Sequence, residues 1–287
     1  MKETAVLLID CPDRKGLVAR VASLLYERGA NILHADQHQD HELGLFFMRV
    51  EFALNGHDEQ PFDLTGFQQA FTPLAEALSM RWNLVSAVER PRVALFCSQY
   101  LHCMADLLHR WHTKELHCEI PVIVSNHREV EPLASFYGIP FEHVAVAAAN
   151  RAEAESHQLD MLARHKIDVV VLARYMQILS PDFVARFPSA IINVHHSFLP
   201  AFTGARPYHA AHARGVKLIG ATSHYVTEVL DDGPIIEQDV ARISHRDQVD
   251  DLVARGRDLE RVVLARAVRW HLDRRILCYG NKTVVFD

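Results

Sequence analysis

The chain contains no apolar run approaching the roughly twenty residues that a membrane-crossing helix needs. Met1-Lys2-Glu3-Thr4 leads straight into a strand-like segment with no signal-peptide core, so a cytoplasmic protein is expected. Paired cysteines are also missing. Cys11, Cys97, Cys103, Cys118 and Cys278 are odd in number and show no C-x-x-C spacing, which favours reduced thiols over a disulfide framework. Positive charge is not in excess: 30 Lys and Arg against 36 Asp and Glu leave a net charge of -6. That balance supplies no broad field for nucleic acid or an anionic membrane, and a small-molecule partner is expected instead. Internal repeats, low-complexity tracts and coiled-coil heptads are absent too.

Several catalytic signatures are lacking. Without a G-x-S-x-G elbow there is no serine nucleophile on a strained turn, and Ser197 beside His196 is a poor substitute because neighbours on a strand end point apart. Cys97-Ser98-Gln99-Tyr100-Leu101-His102 contains no glycine, which removes both a dinucleotide fingerprint and a phosphate-cradling loop. The 19 histidines make a metal site worth testing. His195-His196, His209-x-x-His212 and His224 do not follow the helical H-E-x-x-H arrangement, so no metal is expected and His209 and His212 read as hydrogen-bonded histidines.

What is present is 287 residues, 49% of them hydrophobic, enough for two domains with their own cores. Thr4 to Cys11 reads as a strand, and Pro12 to Gly16 turns into a helix carrying Val18, Val21, Leu24 and Leu25 on one face and ending at Gly29-Ala30. Asn31 to His38 and Leu43 to Ala53 form a hairpin around Gln39 to Glu42, followed by a helix over Phe62 to Ser79 and a strand over Met80 to Ser86. The order βαββαβ is a ferredoxin-like split βαβ unit over residues 1–86. Residues 87–91 form a polar linker. From 92 to 287 strands and helices alternate, which implies a doubly wound, mostly parallel Rossmann-like sheet. Ser180-Pro181-Asp182 has the form of a helix N-cap followed by proline, and Gly280-Asn281 that of a hairpin turn.

Within the second domain, Ile191-Ile192-Asn193-Val194-His195-His196-Ser197 is an apolar strand that suddenly becomes polar. Strand ends of this kind point into the ligand crevice of an open α/β sheet. Asn193 and His195, two apart, face one side, and Leu230-Asp231-Asp232-Gly233-Pro234 offers a carboxylate on a turn. An amide and an imidazole can hold a carbonyl oxygen as it gains charge, while a carboxylate takes a proton from water or tunes the imidazole. Taken alone, the trio reads first as a satisfied polar cluster and second as an active site.

The residues also carry a resemblance. Asn193-x-His195 with Asp231 downstream, preceded by Val171-Leu172-Ala173-x-x-Met176-x-Ile178-Leu179-Ser180, resembles the formyltransferase fold that handles 10-formyltetrahydrofolate. Asp10 to Leu17 followed by Gly29-Ala30-Asn31-Ile32 resembles the ACT domain, an amino-acid-binding regulatory module. With Ser125-Asn126-His127, His195 to Phe202 and Gly204 to His209 added, the whole chain is similar to the formyltetrahydrofolate deformylase family, the hydrolases of this fold.

The resemblance implies hydrolysis of 10-formyltetrahydrofolate to formate and tetrahydrofolate, balancing the folate pool that serves purine synthesis. Asn193, His195 and Asp231 would be catalytic. Asn193 and His195 would hold the formyl oxygen, and Asp231 would deprotonate water directly or through His195. Partial shielding is expected to raise the pKa of Asp231 toward a value suited to that exchange. Tyr175, Met176, Gln177, Ile178 and Leu179 would line the folate pocket, with His196, Gly204, His224, Val226 and Thr227 also against substrate. Gln177 departs from the arginine of many relatives. Two other activities compete, formyl transfer to an amine and non-catalytic sensing of folate or amino acids. The missing glycine loop and basic extension disfavour the usual transfer acceptors, and His196 with Arg206-Pro207-Tyr208 would narrow the acceptor side to water. No tightly bound cofactor is implied, since the folate is the substrate. The ACT-like domain would pair in a homo-oligomer, dimer or tetramer. There Asp13, Gly16, Asn31 and Ile32 would either hold an effector such as glycine or methionine or serve a purely structural role.

Overall fold

The structure, a computed structural model, describes residues 3–55, 62–201 and 207–286. It divides into two compact units.

The first unit is built from β1 (Thr4–Pro12), α1 (Leu17–Glu27), β2 (Asn31–Asp40), β3 (Leu45–Ala53), α2 (Leu64–Leu78) and β4 (Arg81–Ser86). Its strands pair antiparallel in the order β2-β3-β1-β4, which is the expected split βαβ arrangement. Period-two alternation sends Ala5, Leu7, Ile9 and Cys11 of β1 toward the helices, where they meet Val21, Leu25, Phe67 and Phe71 in one core. The β2–β3 turn lies at residues 41–44 rather than Gln39 to Glu42. Asp40 moves it: its Oδ1 accepts from the backbone N–H groups of Glu42 at 3.1 Å and Leu43 at 3.0 Å, a local capture that ends the strand.

The second unit contributes β5 (Arg92–Cys97), α3 (His102–His112), β6 (Glu119–Ser125), α4 (Glu131–Phe136), β7 (Phe141–His143), α5 (Arg151–Arg164), β8 (Val169–Ala173), α6 (Pro181–Ala185), β9 (Ile191–His195), α7 (Pro207–Arg214), β10 (Leu218–Tyr225), β11 (Ile235–Arg242) and α8 (Val249–Leu272). Seven strands run in the order β11-β10-β9-β8-β5-β6-β7. β5 through β9 are mutually parallel, and β10 and β11 add antiparallel pairs at one edge. From β5 the chain moves one way to β6 and β7, then returns to β8 and β9 on the other side. The order therefore reverses between β5 and β8, the switch point where such sheets bind ligands. β8 (Val-Val-Val-Leu-Ala) is wholly buried because helices cover both faces. Ser180 caps α6 as its sequence suggests, accepting from the Phe183 N–H at 3.2 Å with Pro181 in the first turn.

The tail forms a hairpin of β12 (Ile276–Tyr279) and β13 (Lys282–Val285). Val284 and Phe286 pack with Leu277 and Tyr279 on the second face of the first sheet, against Val6, Leu8 and Phe47. Sequence division assigned everything from 92 to 287 to the second domain, whereas residues 273–279 and 284–286 cluster with the first. The physical reason is legible in β1 itself. Val6 and Leu8 alternate with Leu7 and Ile9, so both faces of that strand are apolar and both require cover.

Candidate active site

β9 delivers Asn193 and His195 to its carboxyl end on the same side. Antiparallel pairing sets His224 of β10 opposite Asn193, and the register brings their side chains together. His224 is buried, with Nδ1 2.9 Å from the Tyr225 carbonyl oxygen. A carbonyl only accepts, so Nδ1 carries the proton and in the neutral ring Nε2 accepts from Asn193 Nδ2 at 3.2 Å. One amide hydrogen of Asn193 is thereby committed, and the other remains for a ligand oxygen.

Asp231 reaches this pair from the connection between β10 and β11. Its backbone is left-handed, φ 56°, a conformation that aspartate tolerates better than most residues. Gly233 allows the turn to lie close to β10: a Cβ there would collide with the Tyr225 carbonyl oxygen, so no side chain fits. The carboxylate spans the two imidazoles, with Oδ2 3.2 Å from His195 Nδ1 and Oδ1 3.7 Å from His224 Nε2. Hydrogen bonding from His195, and then from His224 when its ring carries a proton on Nε2 as well, holds the Asp231 carboxyl well below the usual carboxylate range and outweighs burial. The expected raised pKa is therefore reversed. Burial is only partial here, and two imidazole partners favour the charged form more strongly than desolvation opposes it.

His195 is buried and still has an unmet ring nitrogen. It is 5% accessible, and with Nδ1 on Asp231 its Nε2 is buried without a hydrogen-bond partner among the described residues. A buried ring nitrogen left unmet is costly unless a ligand or water completes it. The arrangement has the logic of an acid–base imidazole oriented by a carboxylate, beside an amide donor suited to a developing oxyanion.

The remaining site residues divide. Met176 and Ile178 are exposed apolar side chains on the segment after β8, Gln177 and Leu179 are half-buried, and Val229 and Leu230 are exposed on the connection carrying Asp231. These fit an apolar ligand wall. Val226 and Thr227 begin that connection; Thr227 is fixed by its hydroxyl donating to the Val229 carbonyl at 3.1 Å. Tyr175 does not join them. Its ring is buried edge-on against Phe96 in the core, and its hydroxyl accepts from Gln158 at 2.7 Å. His196 is buried beside His195, ring centroids 5.1 Å apart, and faces Tyr208 at 6.1 Å. Gly204 and Arg206 lie outside the described residues. In the first unit Gly16 adopts φ 88° at the start of α1, Asn31 and Asp13 are exposed with Asp13 accepting from Gln39 at 3.1 Å, and Ile32 packs partly into the core.

A second polar cluster escaped sequence reasoning. Glu260 of α8, 1% exposed, accepts from His102 Nε2 at 2.8 Å and from the Tyr208 hydroxyl at 2.7 Å, with Arg174 nearby. His102, Cys103 and Glu260 place potential metal ligands within 4.8 Å of one another. The carboxylate is already shared between two donors, burial pushes the Cys103 thiol pKa up, and a guanidinium stands beside them, so the set does not favour a cation. Arg174 was the available signal, a charge directly after the apolar run of β8.

Residues 91–268 match the Formyl transferase family and residues 5–57 the ACT domain. The formyltetrahydrofolate deformylase of Synechocystis sp. is 53% identical, over 99% of this chain and 98% of its own. The crystal structure of a formyltetrahydrofolate deformylase from Pseudomonas syringae pv. tomato is 50% identical with a TM-score of 0.96, covering 100% of this chain and 95% of that one. Glycinamide ribonucleotide transformylase 1 of Symbiobacterium toebii aligns with a TM-score of 0.65 at 27% identity, over 69% of this chain and 95% of its own. With an ACT domain ahead of a formyl transferase domain and a relative matched end to end at that identity, the chain belongs to the formyltetrahydrofolate deformylase family.

Proposed function

We propose that the chain hydrolyses 10-formyltetrahydrofolate to tetrahydrofolate and formate. The observation that carries the reading is the buried, unpartnered Nε2 of His195, oriented by Asp231 and flanked by Asn193. The formyl oxygen accepts from the free Asn193 N–H. His195 Nε2 takes a proton from water as the water oxygen bonds to the formyl carbon, and the imidazolium is stabilised by ionised Asp231. The proton passes to N10 as the C–N bond breaks, and formic acid leaves as formate. Because hydrogen bonds depress the pKa of Asp231, the carboxylate orients and stabilises His195 and is a weak base itself, which favours water activation through the imidazole.

Water rather than an amine as acceptor is supported by the side chains that stand at the switch point. Where a glycine loop would cradle a phosphate, Tyr100 and His102 stand with Arg174 and Glu260. His196 and Tyr208 narrow the same side. The reading extends to a homo-oligomer joined through the ACT domain, answering to an amino acid such as glycine or methionine, in a cytoplasmic one-carbon pathway feeding purine synthesis, with no tightly bound cofactor. Formate and tetrahydrofolate released in equal amounts from 10-formyltetrahydrofolate, with and without these amino acids, test it. No release under any of these conditions rejects it.

A further inference from the structure

His196 also borders a cavity of about 250 Å3. Tyr100 and His102 follow β5, Arg174 follows β8, and Arg257 and Glu260 come from α8, so the cavity sits at the β5/β8 switch point. Arg174 is 8% exposed, yet its Nε and Nη1 are buried without a hydrogen-bond partner among the described residues. Glu260 does not meet that need. Its oxygens are taken by His102 and Tyr208, and its approach of 3.5 Å to Arg174 Nη1 is an ion pair without hydrogen-bond geometry. The Tyr100 ring carries the Arg174 guanidinium at 5.2 Å and that of Arg257 at 5.9 Å, so two cations face a single carboxylate. A guanidinium short of acceptors, with a second cation and one carboxylate beside the same small cavity, calls for a small monoanion.

We propose that this cavity is a formate site, in which the carboxylate accepts from Arg174 Nη2, the one nitrogen of that guanidinium that the protein does not enclose, and pairs with Arg257. The source of the anion rests on the deformylase reading: hydrolysis at His195 generates formate beside His196, which borders the cavity. The site gives the product a place outside the reacting centre and makes the enzyme sensitive to accumulated formate.

Titration of the full-length, folate-free protein with 13C-labelled formate, followed by NMR, tests this, with acetate and inorganic phosphate in parallel. One formate per chain binds saturably. Binding weakens by about tenfold or more in Arg174→Met, the factor that losing a charge-assisted hydrogen bond produces. It weakens comparably in Arg257→Glu, which reverses charge at an exposed position that the core does not depend on. If Arg174→Met does not fold, Arg257→Glu decides alone. Absence of saturable formate binding, equal binding in the variants, or binding of phosphate in place of formate overturns the proposal. Turnover plays no part in the titration, so a chain that binds formate but releases none from 10-formyltetrahydrofolate would sink the deformylase reading separately.

Discussion

His195 Nδ1 lies 3.2 Å from Asp231 Oδ2, while the opposite ring nitrogen is buried and meets no partner among the described residues. The carboxylate thus sets which nitrogen faces the reaction. Replacing Asp231 with asparagine keeps the shape but removes the charge that stabilises the imidazolium and the certainty of tautomer. Asp231→Asn is expected to lower kcat by about 100- to 10,000-fold with little change in KM. Stopped-time formate assays check this, and near-normal turnover refutes the role.

Asn193 supplies the remaining oxyanion donor. Asn193→Ala is expected to cost about 100- to 1,000-fold in kcat, the usual effect of deleting one such donor. His224 acts through it: its Nε2 anchors the amide and its Nδ1 is pinned to Tyr225. His224→Ala should lower kcat while leaving folate KM near wild type, and His224→Gln, which retains an acceptor, should recover part of the loss. An effect confined to KM would instead place His224 against substrate.

The depressed pKa of Asp231 makes a stability prediction with a defined sign. A carboxyl whose folded pKa lies below its unfolded value stabilises the fold fully above the unfolded pKa, about pH 4, and loses that contribution as pH falls further. The gap in unfolding midpoint between wild type and Asp231→Asn should therefore be constant at neutral pH and shrink below about pH 4. Denaturant melts at several pH values measure it; a gap that widens on acidification contradicts the assignment.

Gly233 gives a sharper geometric test. A methyl group there meets the Tyr225 backbone carbonyl, which belongs to β10 and cannot yield. Gly233→Ala should displace the turn bearing Asp231 and abolish most activity. Far-ultraviolet circular dichroism checks that the sheet survives. Tyr175→Phe, by contrast, removes only a hydroxyl bonded to Gln158 and should cost about 1 kcal/mol of stability with folate KM unchanged.

Much of this architecture is visible in the sequence because it rests on local patterns. Alternation in Thr4 to Cys11, the cap at Ser180-Pro181 and the polar break after Ile192 each reflect a rule acting over a few residues. Asn193 and His195 could be placed on one face from spacing alone. Their partnership with His224 depends on the β9–β10 register, which no local signal encodes. The same is true of Glu260, brought to His102 and Tyr208 from 158 and 52 residues away. Tyr175 sits in a segment whose neighbours face outward, and its inward turn follows from left-handed backbone at Arg174 and Met176. Asp231 was misjudged electrostatically because shielding was legible and the two imidazoles that offset it were not.

Water attack at the formyl carbon, driven by His195, is the central claim. Turnover of 10-formyltetrahydrofolate in 18O-labelled water, with mass analysis of the released formate, tests it most directly. The account predicts one solvent oxygen in each formate and loss of that product in His195→Ala. Formate lacking solvent oxygen, or a formyl group recovered on an added amine at a rate rivalling hydrolysis, would contradict it.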